Sequence, residues 1–350
     1  MKWYRLILFF WFPLVCSACT MNFVSAAESV SLNLPASHFT EAELPSNLSA
    51  PMINSDYLGN PANPIEYSGY NAPGFLDYNQ DDHYIYQQTI HGRLVTVSWE
   101  KGVEAADDLR QSISGIYFDT FNTWWNVFRG FPFESYTVIL KADPDFQNIE
   151  EHGIGYEIAG KEILDWYSMS EANAVNYLKA KIGHEVFHGW NNGALSIASD
   201  AEYWFREGVA NYYGHRYAGI SEYQLWMNGQ LDFYRKEILG TDYDLSLAEL
   251  GERLDDNSSS PFKHAVYYKG ALVSYLIDSR LNENGSNFDD LLKYLYKNFD
   301  YGEKQISNED IRNALNEISG EDWSGFFDDY ISGTTPLELE GAFQYLDHKP

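Results

Sequence analysis

The chain has 350 residues, of which 51 are acidic and 23 are basic, so its net charge at neutral pH is −28. A surface of this charge repels nucleic acid and anionic lipid, and we expect neither as a partner. Hydrophobic residues make up 45% of the sequence, which is enough to bury the core of a globular domain. No apolar run after residue 26 is long enough for a transmembrane helix.

Residues 1–26 have the pattern of a secretion signal. Two basic residues precede the apolar run Leu6 to Val15, which is too short to span a bilayer, and small residues that suit cleavage lie around Ala27. We therefore predict an exported protein, either periplasmic or secreted. Cleavage would remove both cysteines, Cys16 and Cys19, and with them any disulfide framework. An alternative interpretation places a lipid anchor on Cys19, as in an outer-membrane lipoprotein.

Residues 27–80 are rich in Pro, Asn, Ser and Gly and predict an extended or minimal β extension. From residue 81 the hydrophobic periodicity predicts strands with one helix among them, and then helices only. The first group comprises the strands His83–Ile90, Arg93–Trp99 and Ser135–Leu140, an edge strand Gly153–Leu164, and the helix Glu104–Phe128. The later helices are predicted at 171–190, 201–217, 222–238, 264–282, 287–298, 308–318 and 322–331.

The run His184-Glu185-Val186-Phe187-His188 is an H-E-x-x-H pattern inside one of the predicted helices. Residues i and i+4 of a helix lie on one face, so His184 and His188 can bind one Zn²⁺ together. Glu185 can then reach water at the metal and act as the general base. A pair of histidines with Glu between them also occurs on solvated helix faces, so the neighbouring sequence has to support the metal site.

A zinc hydrolase needs a third protein ligand, and Glu207 is the candidate. Eighteen residues separate it from His188, and the segment between them contains the helix-stopping run Asn191-Asn192-Gly193 and an N-cap at Ser199 or Asp200. Two antiparallel helices joined in this way would bring Glu207 opposite the two histidines. We therefore predict one Zn²⁺ per chain.

The order of these motifs resembles the gluzincin metallopeptidases. The sequence around Glu207, Trp204-Phe-Arg-Glu-Gly, and a later block, Tyr267-Tyr-Lys-Gly-Ala, are similar to the glycyl aminopeptidase family and, more distantly, to the aminopeptidase N and leukotriene-hydrolase family. The likeness extends from about Trp99 to Leu346. It implies that the Tyr267 hydroxyl stabilises the oxyanion of the tetrahedral intermediate, with Tyr268 as the alternative.

The resemblance also implies the architecture of the domain. We predict an α+β, thermolysin-like catalytic domain over residues 81–350. A small mixed-sheet lobe would occupy about 81–193 and a mainly helical lobe about 194–350, with the active site in the cleft between them.

The function implied by the resemblance is zinc-dependent hydrolysis of peptide bonds, and we expect an aminopeptidase. In aminopeptidases of these families, a Glu on the edge strand before the zinc helix binds the free amine of the substrate. Glu157, in Gly155-Tyr-Glu-Ile158, is the candidate here, and Glu150-Glu151-His152 is the alternative. Asn211, one helical turn beyond Glu207, could orient a ligating histidine. The alternatives are an endopeptidase of the same fold, an enzyme that hydrolyses a non-peptide bond, and a peptide-binding protein with little turnover.

Overall fold

The computed structural model describes residues 80–143, 146, 150–151, 155–169, 175–254, 261–299 and 304–339. The predicted signal segment 1–26, including Cys19, lies outside these residues, as does all but the last residue of the extension 27–80, and both stay predictions. Within the described ranges, no helix is long and apolar enough to cross a membrane. The chain forms a small mixed sheet followed by a mostly helical part.

The sheet contains five strands: β1 His83–Ile90, β2 Arg93–Glu100, β3 Ser135–Lys141, β4 Glu150–Glu151 and β5 Gly155–Ala159. Their order in the sheet is β1-β2-β3-β5-β4. β1 and β2 form the predicted antiparallel hairpin, and both residues of its turn, His91 and Gly92, have positive φ, as a two-residue hairpin turn requires. β3 is parallel to β2 and to β5, and β4 is the antiparallel edge strand.

Helices connect the strands and form most of the chain after β5. α1 Asp107–Phe128 links β2 to β3, α2 Gly160–Met169 follows β5, and α3 Asn176–Asn191 carries the H-E-x-x-H run. The later helices are α4 Val209–Ala218, α5 Ile220–Phe233, α6 Leu247–Glu252, α7 Pro261–Glu283, α8 Phe288–Asn298, α9 Asn308–Ser319 and α10 Ser324–Phe326. π turns extend α5 over Tyr234–Ile238 and α10 over Phe327–Ile331.

The predicted edge strand Gly153–Leu164 is wrong in two respects. Its described residues, 155–164, belong to two elements, because β5 ends at Ala159 and α2 begins with the next residue. In α2, Ile163 and Trp166 are three residues apart and both are buried, which is the period of a helix and not the alternation of a strand. β5 is also an interior strand, since β4 pairs along its outer side.

An aromatic core between the sheet and α3 fixes the position of α3. The ring of Phe121 in α1 lies 5.0 Å from that of Tyr136 in β3, and the ring of Trp124 lies 5.2 Å from that of Phe187 in α3. Trp124 Nε1 also donates a hydrogen bond of 3.1 Å to the carbonyl oxygen of Gly183. Burial of each such ring stabilises the fold by about 1.5–3 kcal/mol, so α3 is held firmly against α1.

Two glycines allow the backbone after α3 to approach its neighbours closely. A Cβ at Gly214 of α4 would lie 2.5 Å from the carbonyl oxygen of Ala180 in α3. A Cβ at Gly208, just before α4, would lie 2.6 Å from the carbonyl carbon of Gly270 in α7. Any larger residue would force the backbones apart. These two positions therefore set the spacing of α3, α4 and α7, the helices that contain most of the predicted site residues.

Candidate metal centre

Three side chains from two neighbouring elements meet in the interior. His184 and His188 lie one turn apart on α3, and Glu207 lies in the π turn Trp204–Gly208 that leads into α4. The two histidine Nε2 atoms are 3.1 Å apart, and Glu207 Oε2 lies 3.3 Å from His184 Nε2 and 3.4 Å from His188 Nε2. All three residues are buried. Among the residues that the structure describes, they form the one group of three that could hold a metal ion.

Local sequence signals explain how Glu207 reaches this position. α3 ends at Asn191, and the following loop leads to Ser199, which caps a short 3₁₀ turn, Asp200–Glu202. The Glu202 carboxylate accepts a hydrogen bond from the backbone N–H of Ser199, which completes a capping box. The chain then enters the π turn, whose extra residue changes the direction of its side chains relative to a regular α-helix. The predicted pair of helices is thus confirmed, with a π turn at the ligand.

Asn191 fixes the orientation of His188. Its side-chain oxygen lies 3.0 Å from His188 Nδ1, and its side-chain nitrogen donates hydrogen bonds to the carbonyl oxygens of Arg206 (2.6 Å) and Phe205 (3.3 Å). Because the amide oxygen can only accept, His188 carries a proton on Nδ1, and its Nε2 points into the cluster. Asn191 therefore ties the end of α3 to the turn that contains Glu207.

The charge of Glu207 is stabilised by its neighbours. Burial alone would raise the pKa of this carboxyl, but positive charge on His188 and His184 and their hydrogen bonds outweigh that effect and hold it well below its ordinary value. Glu207 Oε1 lies 3.2 Å from Arg206 Nε. Oε2 is buried and faces the Nε2 atoms of the two histidines. One carboxylate oxygen and two imidazole nitrogens directed at one point are the donor set that suits Zn²⁺.

Tyr267 of α7 lies beside this cluster. Its ring stacks on that of His184, with centroids 6.1 Å apart and planes within 14° of parallel. Burial, and then the negative charge of Glu207, raise the pKa of the Tyr267 hydroxyl well above its ordinary value, so the hydroxyl keeps its proton at neutral pH and can donate a hydrogen bond. Tyr268, the alternative, instead packs against Phe233 and Trp226.

Glu185 is half-buried next to His184 on α3. Burial first, and the negative charge of Glu185 second, raise the pKa of Glu162 in α2 to about 7. The charge of Glu185 also contributes to the raised pKa of Tyr267 in α7, although less than burial, Glu207 and Tyr203 do. The charge of Glu185, the residue next to His184, therefore acts on groups of both α2 and α7.

Glu157 lies on β5 and pairs with a lysine of the neighbouring strand β3. Residues alternate between the two faces of a strand, so Glu157 lies on the face opposite Tyr156. The ring of Tyr156 packs near that of Tyr117 in α1. Burial, and to a smaller extent the charge of Glu185, raise the pKa of the Tyr156 hydroxyl. The carboxylate of Glu157 instead lies 3.6 Å from Lys141 Nζ. The edge position that we predicted for Glu157 belongs to β4, which consists of Glu150 and Glu151.

Asn211 is buried on α4 one turn beyond Glu207. Within the described part of the chain, its side chain makes no hydrogen bond to His184 or His188, and the hydrogen bond to His188 comes from Asn191. The sequence contained a signal for this, because Asn191 lies three residues after His188 and thus on the same helix face. The helix-stopping role predicted for Asn191 therefore accounts for only part of what this residue does.

Comparison with known proteins identifies a family and a similar fold. Residues 112–330 match the peptidase family M1 domain. Among solved structures, the chain is similar to an aminopeptidase N family protein from Idiomarina loihiensis, with 22% sequence identity and a TM-score of 0.60. The similarity covers 75% of this chain and 49% of that one, so the chain spans about half the length of the solved relative. No curated protein sequence matches the chain.

We predict that Asn191→Ala weakens the binding of Zn²⁺ by about 10–100-fold, because His188 loses the acceptor that orients it. Competition with a chromophoric chelator would measure the affinity. Asn211→Ala is the matched control, since it removes a buried amide from the next helix without touching His188, and we expect it to change the affinity little. Equal losses in the two variants, or none in Asn191→Ala, would contradict this role of Asn191.

Proposed function

Because the chain belongs to peptidase family M1, we propose that it is a zinc-dependent peptidase that removes residues from the free amino end of peptides. The observation that carries the proposal is the buried cluster of His184, His188 and Glu207, with Glu185 and the Tyr267 hydroxyl beside it. A structural metal site has no need of a general base or of an oxyanion donor, so this combination favours catalysis over peptide binding alone.

The chain's own residues divide the reaction between them. His184, His188 and Glu207 would hold Zn²⁺, which when bound supplies the Lewis acidity that activates water and polarises the peptide carbonyl. Glu185 accepts the proton of the attacking water and delivers it to the leaving amine. The Tyr267 hydroxyl donates a hydrogen bond to the oxygen on which negative charge develops. These groups lie on three helical elements, namely α3, the π turn Trp204–Gly208 and α7.

We also propose the thermolysin-like division of the domain, with a sheet lobe at about 81–193 and a helical lobe at about 194–350. It is supported by the origin of the site residues, since His184, Glu185 and His188 come from the end of the first part and Glu207 and Tyr267 from the second. The pattern of residues 1–26 supports export of the enzyme to the periplasm or beyond, with a lipid anchor at Cys19 as the alternative.

We expect Glu185→Gln to bind Zn²⁺ normally and to lose at least about a hundredfold in kcat, because the amide cannot accept the proton of water. Metal analysis and turnover of a free-amine peptide would measure both properties. Treatment of the unchanged chain with 1,10-phenanthroline should abolish turnover, and added Zn²⁺ should restore it. Near-normal turnover in Glu185→Gln would exclude its assigned role. A purified chain that neither binds Zn²⁺ nor responds to the chelator would exclude the proposed function.

The two adjacent tyrosines provide a second test. Tyr267→Phe removes only the hydroxyl beside the metal cluster, so kcat should fall by about 10–1,000-fold while KM changes much less. Tyr268→Phe is the matched control, because its ring packs on Phe233 and Trp226, and its kcat should remain close to that of the unchanged chain. A larger loss in Tyr268→Phe would show that the catalytic hydroxyl is the second of the pair.

Paired substrates distinguish an aminopeptidase from an endopeptidase. We expect cleavage of a free-amine peptide and none of the same peptide with an acetylated amino end. Because Glu150 and Glu151 form the edge strand β4, we propose that one of them supplies the amine-binding carboxylate, so either Glu150→Gln or Glu151→Gln should raise KM for the free-amine peptide. Glu157→Gln is the control and should leave KM nearly unchanged. Cleavage of the acetylated peptide at a similar rate would support the endopeptidase alternative.

A further inference from the structure

Lys181 is a half-buried cation beside the proposed reaction site. It lies on α3 four residues before Glu185, so the two side chains are neighbours on one helix face. Its Nζ lies 5.9 Å from the ring centroid of Trp166 in α2 and 5.6 Å from that of Tyr177. The Lys181 ammonium therefore lies near two aromatic rings and one helical turn from Glu185, the proposed general base.

The ammonium keeps its charge in this position. Burial alone would lower the pKa of Lys181. The electrostatic effect of its neighbours is larger than that of burial and raises the pKa above its ordinary value; these neighbours are Tyr177, Glu185, Tyr268 and Glu162. Lys181 is thus protonated throughout the neutral range. Cation–π contacts with two rings stabilise the charge without using its N–H donors in hydrogen bonds to oxygen.

The two nearby carboxylates, of Glu185 and Glu162, do not contact the Lys181 ammonium directly. In the described part of the chain, no salt bridge joins Lys181 to Glu185 or to Glu162, although both act on it at longer range. Glu162 has a pKa raised to about 7 by burial and by Glu185, so it carries only part of a negative charge at neutral pH. Because Coulomb attraction falls with distance, a third carboxylate in direct contact with Lys181 would be bound more strongly than either of these.

The direction of the reaction determines which part of a substrate reaches Lys181. Glu185 delivers its proton to the leaving amine, so the residue that follows the cleaved bond must lie next to Glu185. A side chain of that residue, directed along α3, would enter the space in front of Lys181. Lys181, Glu162, Glu185 and Tyr268 all retain some solvent-exposed surface.

We propose that Lys181 binds a carboxylate of the residue that follows the cleaved bond and so gives the enzyme a preference for an acidic residue at that position. The inference rests on the proposed peptidase function and adds to it a substrate class. The carboxylate has two sources, the side chain of Asp or Glu or the terminal carboxylate of a dipeptide. A substrate series can separate these sources from each other.

The test uses free-amine peptides that differ only in the residue after the cleaved bond, with Glu, Gln or Lys there, each with a free or an amidated carboxyl end. For the unchanged chain we expect kcat/KM for Glu to exceed that for Gln by about tenfold or more, with Lys lowest. A preference that persists in amidated peptides assigns the side chain, and one that depends on the free end of dipeptides assigns the terminal carboxylate.

Lys181→Met should reduce the Glu-to-Gln ratio to about one, and Lys181→Glu should favour the Lys peptide. Lys179→Met is the matched control, because Lys179 lies two residues earlier on the same helix and thus on another face. It should leave the ratio unchanged. Thermal unfolding monitored by circular dichroism would establish that all three variants fold.

Two outcomes would overturn the inference: no preference for a carboxylate in the unchanged chain, or an unchanged preference in Lys181→Met. Hydrolysis of the Gln peptide keeps this result separate from the proposed function, which fails only if no peptide of the series is cleaved with Zn²⁺ present. A binding measurement on Glu185→Gln gives a readout without turnover. The Kd for the Glu peptide should there be about tenfold below that for the Gln peptide, and the difference should vanish when Lys181→Met is added.

Discussion

The burial of one carboxylate between two imidazoles is the constraint on which the rest of this site depends. Glu207 is only 3% exposed, and an ionised carboxylate removed from water without a partner costs several kcal/mol. The fold must therefore provide positive charge at that point. Protonating both histidines would place two like charges 3.1 Å apart. A divalent cation satisfies the carboxylate and both neutral imidazoles together, so its binding should also stabilise the folded chain.

Several features of the fold contribute to this convergence of ligands. Gly214 and Gly208 let α4 and the turn before it approach α3 and α7 without intervening side chains. Asn191 ends α3 and at the same time holds His188 and the backbone of the Glu207 turn by hydrogen bonds. The aromatic contacts between α1 and α3 keep the histidine helix from moving as its neighbours pack on it. The geometry of the site thus depends on contacts made by residues other than the three ligands.

Sequence reasoning predicted the ligands because their spacing is set by helix geometry and by the length of one connection. His184, His188 and Glu207 come together as expected, and the capping box at Ser199 begins the second helical element as predicted.

The failures have physical causes. The segment 155–164 was misread because no loop separates β5 from α2, and Gly160 is the one residue at their junction that marks the change. Glu157 was assigned to the sheet edge because β4, only two residues long, has no periodic pattern of its own. The side-chain role of Asn191 was missed because Asn after a helix is equally well explained as a stop signal.

Because the chain is strongly acidic overall, any preference for an acidic substrate has to come from a local cation such as Lys181. With 51 acidic and 23 basic residues, the long-range field of the protein repels an acidic peptide as it approaches. At physiological ionic strength this field is screened over roughly 8 Å, whereas a contact inside a partly buried cleft is screened much less. Selection of a carboxylate would then depend on Lys181 and the groups within a few ångströms of it. The negative surface would affect the rate of encounter, and the half-buried ammonium would determine which peptide is retained beside Glu185.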